Sequence, residues 1–183
     1  MLAESVSRNH ADAMLLSGGL DSSILASMLQ PEYAVTAALG PDAPDIPYAR
    51  QAAEKFCKNH VEVIFDEVEM IDLVDTTVQV FQTFDPIEIR NSCVALAGLL
   101  RAKKDGHTKV ATGDGGDELF AGYNFLSRYH ADAKRLDAEL ERLWQVMHFS
   151  SQKLASHIGM QVLTPFLDEK FSAFAKSIDS NEK

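Results

Sequence analysis

Short apolar segments alternate along the chain with longer segments in which apolar residues recur at helical spacing. Four of the short segments have the length and composition of buried strands, at residues 13–17 (AMLLS), 33–39 (YAVTAAL), 60–65 (HVEVIF) and 108–113 (TKVATG). Such alternation is typical of βαβ units, in which helices connect the strands of a parallel sheet. We therefore predict an α/β fold with a parallel, doubly wound sheet of about four to five strands.

The segments between these strands carry helix signals. Predicted helices cover residues 21–30, 46–59 and 88–107. Pro31 follows the first and Gly106 closes the third, as expected for helix ends. After residue 116 the pattern contains only helical signals, including an apolar stripe in 136–149. We therefore treat residues 1–183 as a single domain, with strands and motifs at 13–116 and a helical region at 117–183.

Composition narrows the class of protein. With 46% hydrophobic residues, a chain of 183 residues can bury one substantial core. The formal net charge of -10 argues against nucleic acid as the main partner. Two cysteines and six histidines show no metal-ligand spacing. No segment has the length of a membrane span and the N-terminus lacks the order of a signal peptide, so we expect a cytoplasmic protein without a membrane partner.

The stretch LLSGGLDSS, residues 15–23, places two glycines and a carboxylate directly after the first predicted strand. Gly18 and Gly19 allow close backbone approach, and the amides of the following helix start can then bind an anion such as phosphate. The stretch lacks the lysine of a Walker A loop, so it suits a β,γ-pyrophosphate leaving group better than γ-phosphate transfer. Asp21 is suited to bind Mg²⁺. An ordinary capped strand-to-helix turn remains the alternative interpretation.

A second stretch, TGDGGDELFAGY at 112–123, repeats this combination after the fourth predicted strand. Asp114, Asp117 and Glu118 place three carboxylates within five residues, which is costly unless they are solvated or bind a cation. In a doubly wound sheet the loops after strands 1 and 4 face each other across the switch-point crevice. A solvated acidic turn explains one such loop but not both. We therefore expect the two loops to meet around Mg²⁺ and a polyphosphate.

With both loops considered, the sequence resembles the synthetase domain of the asparagine synthetase family, a branch of the N-type ATP pyrophosphatases with an adenine nucleotide alpha hydrolase-like fold. The resemblance extends from about residue 4 to residue 171, in the family's order. It rests on SVSRNHADAMLLSGGLDSS, on PD at 44–45, on TFDPIEIRNS at 83–92, on TGDGGDELFAGY, and on TPFLD at 164–168.

The resemblance implies an ATP- and Mg²⁺-dependent enzyme. Relatives adenylate the side-chain carboxylate of aspartate with release of pyrophosphate, and ammonia then displaces AMP to give asparagine. By position, the pyrophosphate loop would comprise Ser17, Gly18, Gly19, Asp21, Ser22 and Ser23. The adenosine would be lined by Leu15, Ala38 and Gly113. The Mg²⁺ ligands would be Asp21 and Asp117. The catalytic residues would be Asp117 and Asp114, the latter near the reacting centre.

The sequence also departs from the family pattern. Position 2 is Leu2, where glutamine-hydrolysing members have a nucleophilic cysteine, so we expect ammonia from solution or from a partner glutaminase. Relatives continue beyond the PFLD segment with a basic region, and they usually have an arginine at the position of Leu163. Since lost positive charge slows such chemistry, nucleotide binding without turnover stays open. Another acceptor, either a different carboxylate or a tRNA base, and a homo-oligomer also stay open.

Overall fold

A computed structural model describes residues 1–180 and 182–183 of the chain. The strands are β1 (Ala13–Leu15), β2 (Tyr33–Leu39), β3 (Asn59–Phe65), β4 (Lys109–Ala111) and β5 (Gln161–Leu163). The α-helices are α1 (Leu2–Arg8), α2 (Leu20–Leu29), α3 (Ile46–Phe56), α4 (Glu67–Phe81), α5 (Pro86–Lys104), α6 (Gly116–Phe120), α7 (Ala133–Val146), α8 (Ser150–His157) and α9 (Glu169–Lys176). Short 3-10 helices cover Asn124–Tyr129, Pro165–Leu167 and Ser180–Glu182.

The strands form one parallel sheet in the order β3-β2-β1-β4-β5. Chain order runs from β1 outward to β3 on one side and from β4 to β5 on the other, so the strand order reverses beside β1. This arrangement confirms the predicted α/β fold with a parallel, doubly wound sheet. It also brings the loops that follow β1 and β4 to neighbouring positions at the carboxyl edge of the sheet.

Helices cover both faces of the sheet. On each face, helices and strands pack together through a separate cluster of buried apolar residues. One cluster packs α2, α3 and α9 against the sheet through buried residues that include Leu25, Ala49 and Phe171. The other packs α5 and α8 through residues that include Leu99 and Leu154. This two-sided burial explains why the strands read as short continuous apolar segments and not as an apolar–polar alternation. In the described part of the chain, no helix is both long and apolar enough to cross a membrane.

The expectation of only helical structure after residue 116 is wrong at β5. Gln161–Leu163 extends the sheet in parallel beside β4, with Val162 opposite Val110. A strand of three residues shows no periodicity of its own, and β5, unlike the equally short β1 and β4, is not followed by a glycine-rich loop that marks its end. The segment that joins it to α8 ends the helix at His157 and turns at Gly159, whose φ is +73°.

Other differences lie at element boundaries and in two helices that the pattern did not predict, α1 and α4. The first strand ends at Leu15 and not at residue 17, and the fourth covers Lys109–Ala111 and not 108–113. In both cases the chain turns out of the sheet at the residues that form the glycine-rich loops. The helix α1 packs against the PFLD segment, where Ser5 Oγ donates to the Pro165 carbonyl at 2.5 Å and Arg8 pairs with Asp168.

Candidate functional site

The first glycine-rich loop turns sharply between β1 and α2. Gly18 has a φ of +83°, in the left-handed region that favours glycine. A Cβ on Gly18 would also lie 2.6 Å from both the Asp45 carbonyl oxygen and the Ala49 amide nitrogen at the start of α3. Glycine is therefore needed there for its dihedral angle and for the close approach of α3. The PD segment is thus part of the wall of this loop.

The hydroxyl groups of this loop bond within the loop itself. Ser17 Oγ and Ser22 Oγ lie 2.9 Å apart, and Ser23 Oγ donates to the Gly19 carbonyl at 2.8 Å. Gly19 is the N-cap residue of α2, and no side chain caps the first amides of this ten-residue helix. Ser17 Oγ also accepts from the Gly19 amide at 3.2 Å, and because Ser22 donates to the Gly19 carbonyl, the Ser17 proton is directed to Ser22 Oγ. The first amides of α2 are therefore the groups available to a bound anion.

The second glycine-rich loop runs from β4 into α6 and lies directly against the first, as the sequence predicts. A Cβ on Gly113 would lie 3.1 Å from the Ser22 amide nitrogen and 3.3 Å from Asp21 Cβ. A Cβ on Gly116 would overlap the carboxyl group of Asp21. The glycines of the second loop therefore provide the space in which the Asp21 side chain lies.

Two further glycines of this loop leave space for side chains that pack against it. Gly115 has a φ of +99°, and a Cβ there would overlap the side chain of Leu167 in the PFLD segment. A Cβ on Gly122 would overlap the carboxylate of Asp117. The spacing of glycines in TGDGGDELFAGY thus follows from the side chains that pack on this loop.

The pKa values of the Asp21 and Asp117 carboxyl groups are both raised. Burial, followed by the charges of Asp117 and Glu118, raises the pKa of Asp21 to about 6. Burial also raises the pKa of Asp117. Within the described residues none of these three groups has an ion-pair partner. Neighbouring carboxylates without a basic partner form a donor set that fits a divalent cation, since bound positive charge relieves their repulsion.

The number of protein ligands favours Mg²⁺ that is shared with a phosphate. In the described part of the chain, no three or more His, Cys, Asp or Glu side chains are grouped to hold a metal ion. Asp21 and Asp117 are two candidate ligands. Mg²⁺ commonly binds proteins through one or two carboxylates, with substrate phosphates and water completing its shell.

Asp114 and Glu118 contribute two further carboxyl groups beside these aspartates. Burial raises the pKa of Asp114, which is partly buried, and the hydroxyl of Ser151, at the start of α8, donates a hydrogen bond to its carboxylate and opposes that rise. Glu118 is 6% exposed, and burial raises its pKa although it accepts a hydrogen bond from Tyr123. Asp114 is thus a partly buried carboxyl group that a neighbouring helix holds in place.

Ser151 and Tyr123 were not among the predicted site residues, and Glu118 was predicted only as one of three clustered carboxylates, without a role of its own. Glu118 and Tyr123 lie within the TGDGGDELFAGY motif, so an i, i+5 acid and phenol in a glycine-rich loop could have indicated them. Ser151 lies 37 residues after Asp114, and no local pattern indicates it. Only the packing of α8 brings the two residues together.

The residues predicted to line an adenosine lie along the same edge of the sheet. Leu15 is half-buried at the end of β1, Ala38 is buried near the end of β2, and Gly113 follows β4. The side chain of Leu15 also faces α5, because a Cβ on Gly98 would lie 3.0 Å from its Cδ2. The carboxyl edge of three adjacent strands therefore carries the predicted nucleotide residues.

The family model and the known proteins that match this chain describe the same kind of protein. The family model described as asparagine synthase matches residues 2–153. Over 179 residues the chain is 32% identical to the human "Asparagine synthetase [glutamine-hydrolyzing]", covering 90% of this chain and 32% of that protein. It is 31% identical over 202 residues to the "Probable asparagine synthetase [glutamine-hydrolyzing]" of Dictyostelium discoideum, covering 97% of this chain and 36% of that protein. The chain thus spans about a third of the length of these relatives.

Proposed function

This chain belongs to the asparagine synthase family, and from that premise we propose that it binds Mg²⁺-ATP between its two glycine-rich loops and uses it to activate a carboxylate for amide formation. The observation that carries the proposal is the contact between the loops, in which Gly113 and Gly116 enclose Asp21. Residues 1–183 would act as one ATP-binding unit. A single loop of either kind would be compatible with many other functions.

In this proposal the first loop holds the β- and γ-phosphates. The uncapped amides of α2 would donate to the phosphate oxygens. Ser17 Oγ accepts from the Gly19 amide at 3.2 Å and bonds to Ser22 Oγ, so it holds the loop that carries these amides. Ser22 and Ser23 hold the loop in shape through their bonds to the Gly19 carbonyl, at 3.1 and 2.8 Å. The adenosine would lie along Leu15, Ala38 and Gly113. This placement leaves the α-phosphate near the second loop.

Asp21 and Asp117 would hold Mg²⁺, which would supply the positive charge that offsets the developing charge on the pyrophosphate. The raised pKa of Asp21 fits this role, because its cause is burial beside other carboxylates and a bound cation would reverse it. Without a P-loop lysine, the Mg²⁺ that these carboxylates would hold and the helix amides would be the main groups that bind the leaving group.

The reaction would proceed in two steps. An oxygen of the acceptor carboxylate, for which the aspartate side chain is the first candidate, attacks the α-phosphorus, and the bond to the bridging oxygen of the β-phosphate breaks. Ammonia then attacks the acyl carbon, the bond to AMP breaks, and one proton is released. Asp114 would accept that proton, since a carboxylate whose pKa is raised is a stronger base than one with an ordinary pKa.

The source of ammonia belongs to the same proposal. The two relatives named above are described as glutamine-hydrolyzing. The described residues hold no cysteine exposed near the two loops, since Cys57 is half-buried after α3 and Cys93 is buried in α5. We propose that ammonia reaches the site from solution or from a glutaminase partner. Comparing ammonium with glutamine as nitrogen donor, each without a partner protein, tests this part.

Exchange of labelled pyrophosphate into ATP tests the adenylation step directly. We expect exchange that requires both Mg²⁺ and aspartate. The amide step is tested separately by asparagine formation with ammonium, where D114N should lower turnover while Mg²⁺-ATP affinity stays within about threefold of wild type. Wild-type protein that binds Mg²⁺-ATP but shows no exchange with aspartate or with a panel of other carboxylates would overturn the catalytic proposal.

A second candidate function is nucleotide binding without turnover. The observation in its favour is Leu163, which lies in β5 opposite Ala111 and packs against the apolar core. By the resemblance stated above, relatives usually have an arginine at this position. Under this alternative, ATP and AMP raise the melting temperature in the presence of Mg²⁺, and neither pyrophosphate exchange nor AMP release occurs. Steady formation of asparagine would reject it.

A further inference from the structure

A buried hydroxyl group lies directly beside the root of the first glycine-rich loop. Thr36, in β2, is 2% exposed, and its Oγ1 donates to the carbonyl oxygen of Leu16 at 2.6 Å. Leu16 is the residue before Ser17, so this carbonyl belongs to the peptide group that leads into the loop. The hydroxyl therefore contacts the backbone at the point where the strand becomes the proposed phosphate-binding loop.

The regular pairing between β1 and β2 ends at this point. The last backbone hydrogen bond between them in the described chain runs from the Leu16 amide to the Val35 carbonyl, at 2.8 Å. In a regular parallel pair the next bond would run from a β2 amide to the Leu16 carbonyl. Here the Thr36 side chain makes that bond instead. The chain can thus leave the sheet after Leu16 while its carbonyl remains satisfied.

A second residue fixes the direction of the Thr36 hydroxyl. A threonine has a single hydroxyl proton, and Thr36 gives it to Leu16. The contact of 2.8 Å between Thr36 Oγ1 and His60 Nε2 is therefore one in which His60 donates. His60 lies in β3 beside Glu62, which forms a two-bond ion pair with Arg50 of α3. A line of hydrogen bonds thus runs from β3 through β2 to the loop.

We propose that Thr36 is a positioning residue for nucleotide binding, acting through the Leu16 carbonyl to set the orientation of the following peptide groups. This inference rests on the proposed function, because it assumes that the loop and the first amides of α2 contact the phosphates. The loop is also bounded by α3, whose backbone approaches Gly18 closely. With both contacts in place, the loop keeps a fixed shape before the ligand arrives, and this lowers the ordering cost of binding.

The test compares T36V, which removes the hydroxyl and keeps the branched shape, with T36S, which keeps the hydroxyl. A matched control is T77V, because Thr77 is also fully buried but bonds Cys93 in the interface of α4 and α5. Calorimetric titration with Mg²⁺-ATP and with Mg²⁺-pyrophosphate measures affinity, and thermal unfolding measures stability. We expect T36V to weaken both ligands about tenfold, and T36S and T77V to stay within about twofold of wild type. H60A should weaken binding less than T36V.

The outcomes separate this inference from the proposed function. Wild-type protein that binds neither ligand would overturn both. Wild-type protein that binds, together with T36V of equal affinity, would overturn the positioning role alone. The positioning role would also be overturned if T36S bound the ligands as weakly as T36V, because the hydroxyl would then not be the cause. It would likewise be overturned if T77V lost as much affinity as T36V, because the loss would then reflect general destabilisation.

Discussion

The two glycine-rich loops have similar compositions but depend on different parts of the chain. The serine hydroxyls of the first loop bond to one another and to the Gly19 carbonyl, while the backbone of α3 and the Thr36 hydroxyl contact the loop from outside. The second loop takes its side-chain contacts from distant segments, with Ser151 bonded to Asp114 and Leu167 packed on Gly115. The side chains that shape the first loop are therefore mostly local in sequence, whereas those that shape the second come from the assembled fold.

The glycines of the two loops also meet different atoms. At Gly18 the neighbours are backbone atoms of α3, which cannot move without shifting the helix. At Gly116 the neighbours are the carboxyl atoms of Asp21, at the free end of a side chain that can rotate away. We therefore expect substitutions in the first loop to affect folding, and substitutions in the second to affect ligand binding.

The largest effect is expected for G18A. The added Cβ imposes strain at a φ of +83° and collides with the backbone of α3. We expect the free energy of unfolding to fall by about 3 kcal/mol, as measured by urea denaturation. The matched control is G106A, since Gly106 has a φ of +94° and open space around it, so that only the backbone strain of about 1 kcal/mol applies. Equal losses in the two variants would contradict the packing argument.

The complementary variant is G116A. Its Cβ displaces the Asp21 carboxylate without meeting any backbone that must move. We expect Mg²⁺-ATP affinity to fall about 100-fold, or about 2.7 kcal/mol, while the melting temperature changes by less than about 3 °C. Calorimetry and thermal unfolding on the same preparation measure both quantities. G159A, at an open glycine remote from the loops, serves as the control for affinity. An unchanged affinity in G116A would argue against a role for Asp21.

A third effect concerns pH, through the raised pKa of Asp21. Below about pH 4 this carboxyl group is protonated in both the folded and the unfolded chain. Between about pH 4 and 6 the unfolded chain releases the proton first, so folding stability falls as pH rises, and above about 6 the loss is complete. We expect a loss of about 2 kcal/mol, read as the difference between wild-type and D21N denaturation curves in metal-free buffer. Mg²⁺ with pyrophosphate should reduce that difference; no pH dependence in it would contradict the burial of Asp21.

The smallest effect is expected where α1 supports the second loop through the PFLD segment. Arg8 donates to Asp168 at 2.6 and 3.0 Å, and this contact lowers the pKa of Asp168 to about 2. The stabilisation is present above about pH 4 and is lost as pH falls towards 2. R8Q should lower the melting temperature at pH 7 by about 2 °C, with no difference from wild type near pH 2. R8K should keep part of the effect, and a constant difference across this pH range would contradict the ion pair.

The sequence predicts those parts of the fold that are marked by a local pattern of residues. Four of the five strands, β1 to β4, and the meeting of the two loops at the switch point follow from apolar segments, glycines and strand order. The fifth strand was missed because, unlike the equally short β1 and β4, it is not followed by a glycine-rich loop, and its place is set by α8 and β4. Ser151 was missed because its contact with Asp114 exists only after α8 has packed.

The most direct test of the central claim, that both loops form one Mg²⁺-nucleotide site, is a double-mutant cycle on Asp21 and Asp117 with Mg²⁺-ATP affinity as the readout. If both carboxylates hold the same ion, D21N and D117N should each weaken binding about 100-fold, and the double variant should lose no more than about threefold beyond either single variant. Without Mg²⁺ the three variants should bind ATP no more weakly than wild type. Losses that multiply to about 10,000-fold, or a single variant that binds like wild type, would show that the two loops do not share one site.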